Sequence, residues 1–182
     1  MTNMTHSKKI LSLITLILLM MPAAMLSQAP EKPQEQAKPP LPNYVELSAG
    51  LGTGGQPDET GLKQLAEKGY RTIINIRTSG EEYDRVGEEK QAIQLGLRYY
   101  VVPFSSQEGQ ALAFNTLLSA VKGDKVFVHC GSGNRVGALM MIYFALEEGM
   151  PADKAEEAAK KAGLRSPQLL EFAKQVIGNH KK

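Results

Sequence analysis

Between Lys125 and Leu146 the chain passes from a short apolar run, Val126-Phe127-Val128, through a glycine-rich turn, His129-Cys130-Gly131-Ser132-Gly133-Asn134-Arg135, into an apolar helix beginning at Val136. A strand that hands over to a helix through so few residues confines the chain to an α/β arrangement, because the helix must return across the sheet. The only cysteine of the protein lies at that handover.

The rest of the domain fits this arrangement. Tyr44 to Ser48 alternates like a first strand, and Ala49 to Gln56 is glycine-rich and reads as a tight turn. Asp58 caps a helix that runs to Lys68 and stops at Gly69. Tyr70 to Ile76 is a buried-type strand, Glu81 to Leu95 a helix with a thin apolar face, and Leu97 to Val102 another strand. Ser105-x-x-Glu108 has the form of a capping box opening a helix with Phe114, Leu117, Leu118 and Val121 on one face. After the cysteine turn come three helices, one to Glu148, one from Pro151 to Gly163 and one from Ser166-Pro167 to Gly178. The pattern predicts a mostly parallel sheet of four to five strands flanked by helices, with an all-helical C-terminal third. Ligands of such sheets bind beyond the carboxyl ends of the strands, where Cys130 falls.

The cysteine turn carries the chemistry. Inward-facing backbone N–H groups in such a turn form an anion cradle, and the following helix adds the positive end of its dipole. Gly131, Ser132, Gly133, Asn134 and Val136 are the expected substrate-contacting positions. Arg135 supplies a planar fork suited to a tetrahedral oxyanion. The same positive field favours a nucleophilic thiolate on Cys130, and His129 is placed to orient the turn. The plainer reading is a buried structural cysteine before a capping turn. It leaves the histidine, both glycines and the arginine unexplained.

His129-Cys130-x-x-Gly133 followed by Arg135-Val136-Gly137 resembles the signature of the cysteine-dependent protein tyrosine phosphatase superfamily. Gly55-Gln56-Pro57, Thr72 to Arg77 and the strand into Pro103 narrow the resemblance to the bacterial phosphatase-like family associated with beta-lactamase-hydrolase-like proteins. It implies a cysteine-phosphatase fold from about Tyr44 to Leu170 and hydrolysis through a phosphocysteine. Three departures stand out. Four residues rather than five separate Cys130 from Arg135, a spacing similar to the active-site loop of rhodanese sulfurtransferases. Val136 replaces the Ser or Thr that follows the arginine in phosphatases. The loop after the preceding strand holds no Asp, only Glu108, which reads either as the general acid or as a helix cap. Asp58, Glu81, Glu82 and Asp84 read as solvated or capping acids, and Arg77 either lines the pocket or pairs at the surface.

Three functions therefore remain open: a cysteine-dependent phosphatase, a persulfide-forming sulfurtransferase, and a non-catalytic oxyanion or phosphoprotein binder. The expected partner is a phosphorylated small molecule or phosphoprotein, or else a sulfur donor and acceptor. No cofactor is implied. His129 is the only histidine outside the two ends of the chain, so there is no material for a His-rich metal site. From Asn43 onward basic and acidic residues balance, which argues against nucleic acid as a partner. Lys8-Lys9, the apolar stretch Ile10 to Met21 and small residues to Ala29 read as a signal peptide over 1–29, so the protein is expected to be periplasmic or secreted. An uncleaved membrane anchor is the alternative. A proline-rich tether follows over 30–42, and the phosphatase-like domain over 43–180. A single cysteine excludes an intramolecular disulfide in that oxidising setting.

Overall fold

The computed structural model describes residues 38–180, so the signal segment and most of the tether lie outside the described residues. The elements run β1 (Val45–Ser48), β2 (Leu51–Gly54), α1 (Glu59–Glu67), β3 (Thr72–Asn75), α2 (Arg85–Gln94), β4 (Arg98–Val101), α3 (Glu108–Val121), β5 (Val126–His129), α4 (Asn134–Leu146), α5 (Ala152–Lys161) and α6 (Pro167–His180). They form a five-stranded sheet in the order β1-β2-β5-β3-β4. Only the β1–β2 pair is antiparallel.

Successive residues of a strand face opposite sides of the sheet, and the core divides accordingly. Ile74, Ile76, Val126 and Val128 belong to one cluster with residues of α3, α4, α5 and α6. Ile73 and Phe127 belong to the other, with Leu62 and Leu65 of α1 and Ala92 of α2. Helix α4 is buried continuously from Val136 to Ala145, which accounts for its apolar composition. Gly137 lets α5 approach it: a Cβ there would stand 2.4 Å from the Leu164 nitrogen and 2.7 Å from the Ala159 oxygen.

Five local expectations need correction. The glycine-rich stretch expected to turn contains β2, whose four residues are all buried. Packing decides this, because the hydroxyl of Tyr70 lies 2.1 Å from where a Cβ on Gly52 would sit. A glycine at position 52 is what the ring requires. The capping box is absent: α3 begins at Glu108 with Gln107 at the N-cap, and no side chain bonds the cap. Helix α2 starts only after Asp84, whose carboxylate accepts from the Gly87 N–H, and α6 continues past Gly178. The end of the proline-rich tether also packs. The Asp58 N–H donates to the Pro40 carbonyl at 3.1 Å and the Gly55 N–H to that of Pro42 at 2.7 Å. Among the described residues no strand follows α4, so the sheet lacks the strand a rhodanese fold would add there.

Candidate active site

Register brings together loops that are distant in sequence. Gly54 of β2, His129 of β5 and Asn75 of β3 lie side by side at the carboxyl ends of their strands. The segments that leave those ends are Gly55-Gln56, Cys130 and Ile76-Arg77. They are therefore neighbours.

Cys130 is 1% exposed, and its Sγ accepts the Gly133 N–H at 3.1 Å. Gly133 has φ of 83°, a left-handed conformation that an L side chain strains to adopt, and it forms the N-cap of α4. The loop carbonyls are bound by donors from neighbouring segments. The Gln56 N–H donates to Gly131 O at 3.3 Å, and Asn43 Nδ2 donates to Ser132 O at 3.2 Å. Arg165, in the turn between α5 and α6, donates to Ser132 Oγ at 2.9 Å. Asn134 Oδ1 accepts the N–H groups of Arg165 at 2.8 Å and Ser166 at 3.1 Å, so this side chain staples that turn to the loop. With thiol, inward amide and helix N-terminus together, the turn is built to favour negative charge.

Arg135 is held by Glu81, which accepts from Nη1 at 2.6 Å and from Nη2 at 2.8 Å. This fork-to-fork pair is the strong form of the interaction. The Arg135 hydrogen bonds pull the Glu81 carboxyl down from 4.5 to about 2, and bonds from Thr78 help against partial burial. Glu81 in turn raises the Arg135 guanidinium, and the nearby Cys130 adds to this. Arg77 completes the cluster. Its Nε reaches Glu81 at 3.1 Å, its Nη1 donates to Gln56 Oε1 at 2.9 Å, and its guanidinium stacks 3.9 Å from the Tyr83 ring centroid.

Behind Cys130 lies a buried ionisable pair. His129 Nε2 is 2.8 Å from Glu88 Oε1, with side chains 0% and 5% exposed. The approach is short but oblique, since neither ring nitrogen makes an aligned hydrogen bond. It is therefore a close contact more than a directed bond. Burial alone would raise the Glu88 carboxyl; the His129 ring and hydrogen bonds from Gln56 and Tyr99 more than offset this and leave it lowered. Gln56 Nε2 donates to Glu88 Oε2 at 2.8 Å. Asn75 Nδ2 bonds the Tyr99 hydroxyl at 2.7 Å and Glu88 at 3.4 Å.

The structure thus gathers Cys130, Gly131, Ser132, Gly133, Asn134, Arg135 and His129 as expected. It does not bring Val136 or Glu108 to them. Val136 is fully buried in the core, so its side chain is not offered to a substrate. The Glu108 carboxylate accepts from Asn179 at 2.7 Å and stands 3.5 Å from His180, both at the end of α6. Sequence reasoning placed Glu81 among solvated or capping acids and passed over Glu88 and Tyr99. Nothing in the polar pattern of α2 marks Glu88 as buried. Gln56 lay inside a recognised stretch without an assigned part, and Arg77 was read either as lining the pocket or as pairing at the surface.

The family described as "DSP-PTPase phosphatase fused to NAD+ Kinase" matches residues 42–176. The "Beta-lactamase hydrolase-like protein" of Xylella fastidiosa (strain Temecula1) is 34% identical over 118 residues, which is 62% of this chain and 27% of that protein. Its namesake in Agrobacterium fabrum is 30% identical over 125 residues, 65% of this chain and 29% of that protein. The chain thus spans under a third of the length of these curated relatives. Among solved structures, a putative phosphatase (DUF442) from Shewanella putrefaciens superposes with a TM-score of 0.67 at 20% identity, over 78% of this chain and 95% of that one. TpbA of P. aeruginosa in complex with pTyr gives 0.61 at 18% identity, over 78% and 86%. The fold is of the phosphatase type.

Proposed function

We propose a cysteine-dependent phosphatase mechanism for this chain, which belongs to the family described as DSP-PTPase phosphatase fused to NAD+ kinase. The observation that carries it is the Gly133 N–H directed at Cys130 Sγ at 3.1 Å, at the N-terminus of a helix whose second residue is Arg135. That convergence serves a thiolate and a tetrahedral anion alike. The complex of a structural neighbour with phosphotyrosine is consistent with a phosphorylated substrate.

In the first step Cys130 Sγ attacks phosphorus, forming an S–P bond as the bond to the leaving oxygen breaks with its electron pair. In the second, water attacks the phosphocysteine; phosphate leaves and the thiolate returns. The cradle amides and Arg135 bear the charge of the transferring group. Glu81, held near 2 by Arg135, is ionised at neutral pH and has no proton to give. Glu108 remains the acid proposed from sequence, and its bond to Asn179 must open for that role. Until it does, leaving oxygens depart with a proton from water, which favours aryl over alkyl phosphates. Export of the mature domain is part of the same proposal.

The purified protein is expected to release phosphate from p-nitrophenyl phosphate, with a loss of at least about a thousandfold in Cys130→Ser. Equal turnover by that variant overturns the mechanism. The four-residue spacing to Arg135 favours sulfur transfer instead, and Cys130-dependent thiocyanate formation from thiosulfate and cyanide is the assay that would establish it.

A further inference from the structure

Gln56 sits between two charge systems that enter the site from opposite sides. Its amide nitrogen donates to Glu88 at 2.8 Å and its amide oxygen accepts from Arg77 at 2.9 Å. Its backbone N–H binds the loop carbonyl of Gly131 at 3.3 Å. Contacts then run without interruption from His129 to Glu88, Gln56, Arg77, Glu81 and Arg135. This series begins one residue before the nucleophile and ends at the arginine clamp. Its members come from β5, α2, the β2–α1 loop, the β3–α2 loop and α4.

We propose that Gln56 is a positioning residue that couples the buried His129–Glu88 pair behind Cys130 to the Glu81–Arg135 clamp in front of it. The chemistry of an amide explains the choice of residue. It offers one donor end and one acceptor end, whereas an ionised carboxylate only accepts and an ammonium only donates. Here the donor end meets an anion and the acceptor end a cation. Every contact in the series is therefore attractive, and Arg77 is pinned on one side by Gln56 and on the other by Glu81. The other polar groups facing the series are Asn75 from β3, Tyr99 from β4, and Thr78 and Tyr83 from the β3–α2 loop. Asn75 also touches both halves, donating to Glu88 at 3.4 Å and accepting the Arg77 backbone N–H at 2.8 Å, but only Gln56 joins Glu88 directly to the Arg77 guanidinium.

The coupling rests on the reading of the cradle as an anion site, but one readout does not require turnover. Two variants of the full chain are compared with the unmodified protein across pH. The readouts are alkylation of Cys130 by iodoacetamide and binding of inorganic phosphate by calorimetry. Gln56→Met keeps the volume and removes both bonds. It is expected to weaken phosphate binding about tenfold, the scale of one lost bond to a charged group, and to slow alkylation at every pH. Gln56→Glu keeps the shape but sets a second carboxylate against Glu88. Two carboxylates that close cannot both ionise. As pH falls they share a proton, which restores the missing donor. Its defect relative to the unmodified protein is therefore expected to be largest in alkali and to shrink toward acid, while that of Gln56→Met stays constant. Identical ratios for the two variants at every pH would reduce Gln56 to packing, and two variants indistinguishable from the unmodified protein would remove it from the site. If the unmodified protein neither turns over an aryl phosphate nor binds phosphate, the phosphatase reading fails, and the alkylation profiles still decide the role of Gln56.

Discussion

The two ends of the one sheet handle charge in opposite ways. At the amino ends, Lys125 pairs with Glu46 at 2.9 Å with both side chains partly in water. Arg98 and the Thr72 hydroxyl share Asp124. Beside them opens a largely apolar cavity of about 410 Å³ lined by Leu47, Leu51, Val126 and Phe144. At the carboxyl ends, buried and half-buried ionisable groups from four segments are linked in series around Cys130 through the neutral amide of Gln56. Exposed pairs cost little to form and return little. A carboxylate as enclosed as Glu88 persists only with several partners. The difference follows from direction in a parallel sheet: the carboxyl ends feed helix N-termini, whose positive field favours negative charge on that side.

Substitution at each end tests that contrast. The largest effect is expected from Glu88→Ala, which strands buried His129 and should cost about 3–5 kcal/mol in denaturant unfolding. A loss below about 1 kcal/mol would make the pair no different from a surface bridge. Next is the acid sensitivity of the clamp. Because the Glu81 carboxyl is depressed from 4.5 to about 2, its contribution to stability is complete above 4.5 and is lost as pH falls toward 2. Melting temperatures of the unmodified protein and Glu81→Gln should therefore differ near neutrality and converge across that window. A constant offset from pH 6 to pH 2 would break the assignment. At the amino end Glu46→Ala should leave the melting temperature almost unchanged, with still less effect in high salt. The smallest effect on turnover is expected from Glu108→Gln, under about threefold in kcat/KM if its bond to Asn179 persists. A fall of a hundredfold would show that Glu108 leaves α6 and acts as the acid.

Local chemistry was enough to place most elements and the Cys130 turn. Asp58 caps α1 by accepting from the Gly61 N–H at 2.7 Å, Gly69 and Gly96 stop helices with positive φ, and the strand–turn–helix of Cys130 needs nothing beyond its own residues. These signals act over a few positions, so they are visible in the chain. Strand β2 was hidden because two of its four residues are glycines, which carry no strand preference until Tyr70 packs against Gly52. Glu88 was hidden because a carboxylate on a polar helix looks solvated until β3 and β5 close over it.

The sequence by itself determined that a thiol would stand at a strand end, before a glycine turn and an arginine. Only the tertiary structure decided what surrounds it. Parallel register sets Gly54, Asn75 and His129 side by side, and through them Gln56, Arg77 and Cys130. Polar and ionisable groups spaced across the chain from Gln56 to Arg135 then stand in direct contact and satisfy one another. Pairing across a sheet depends on which strands become neighbours, and no local signal in a single chain records it.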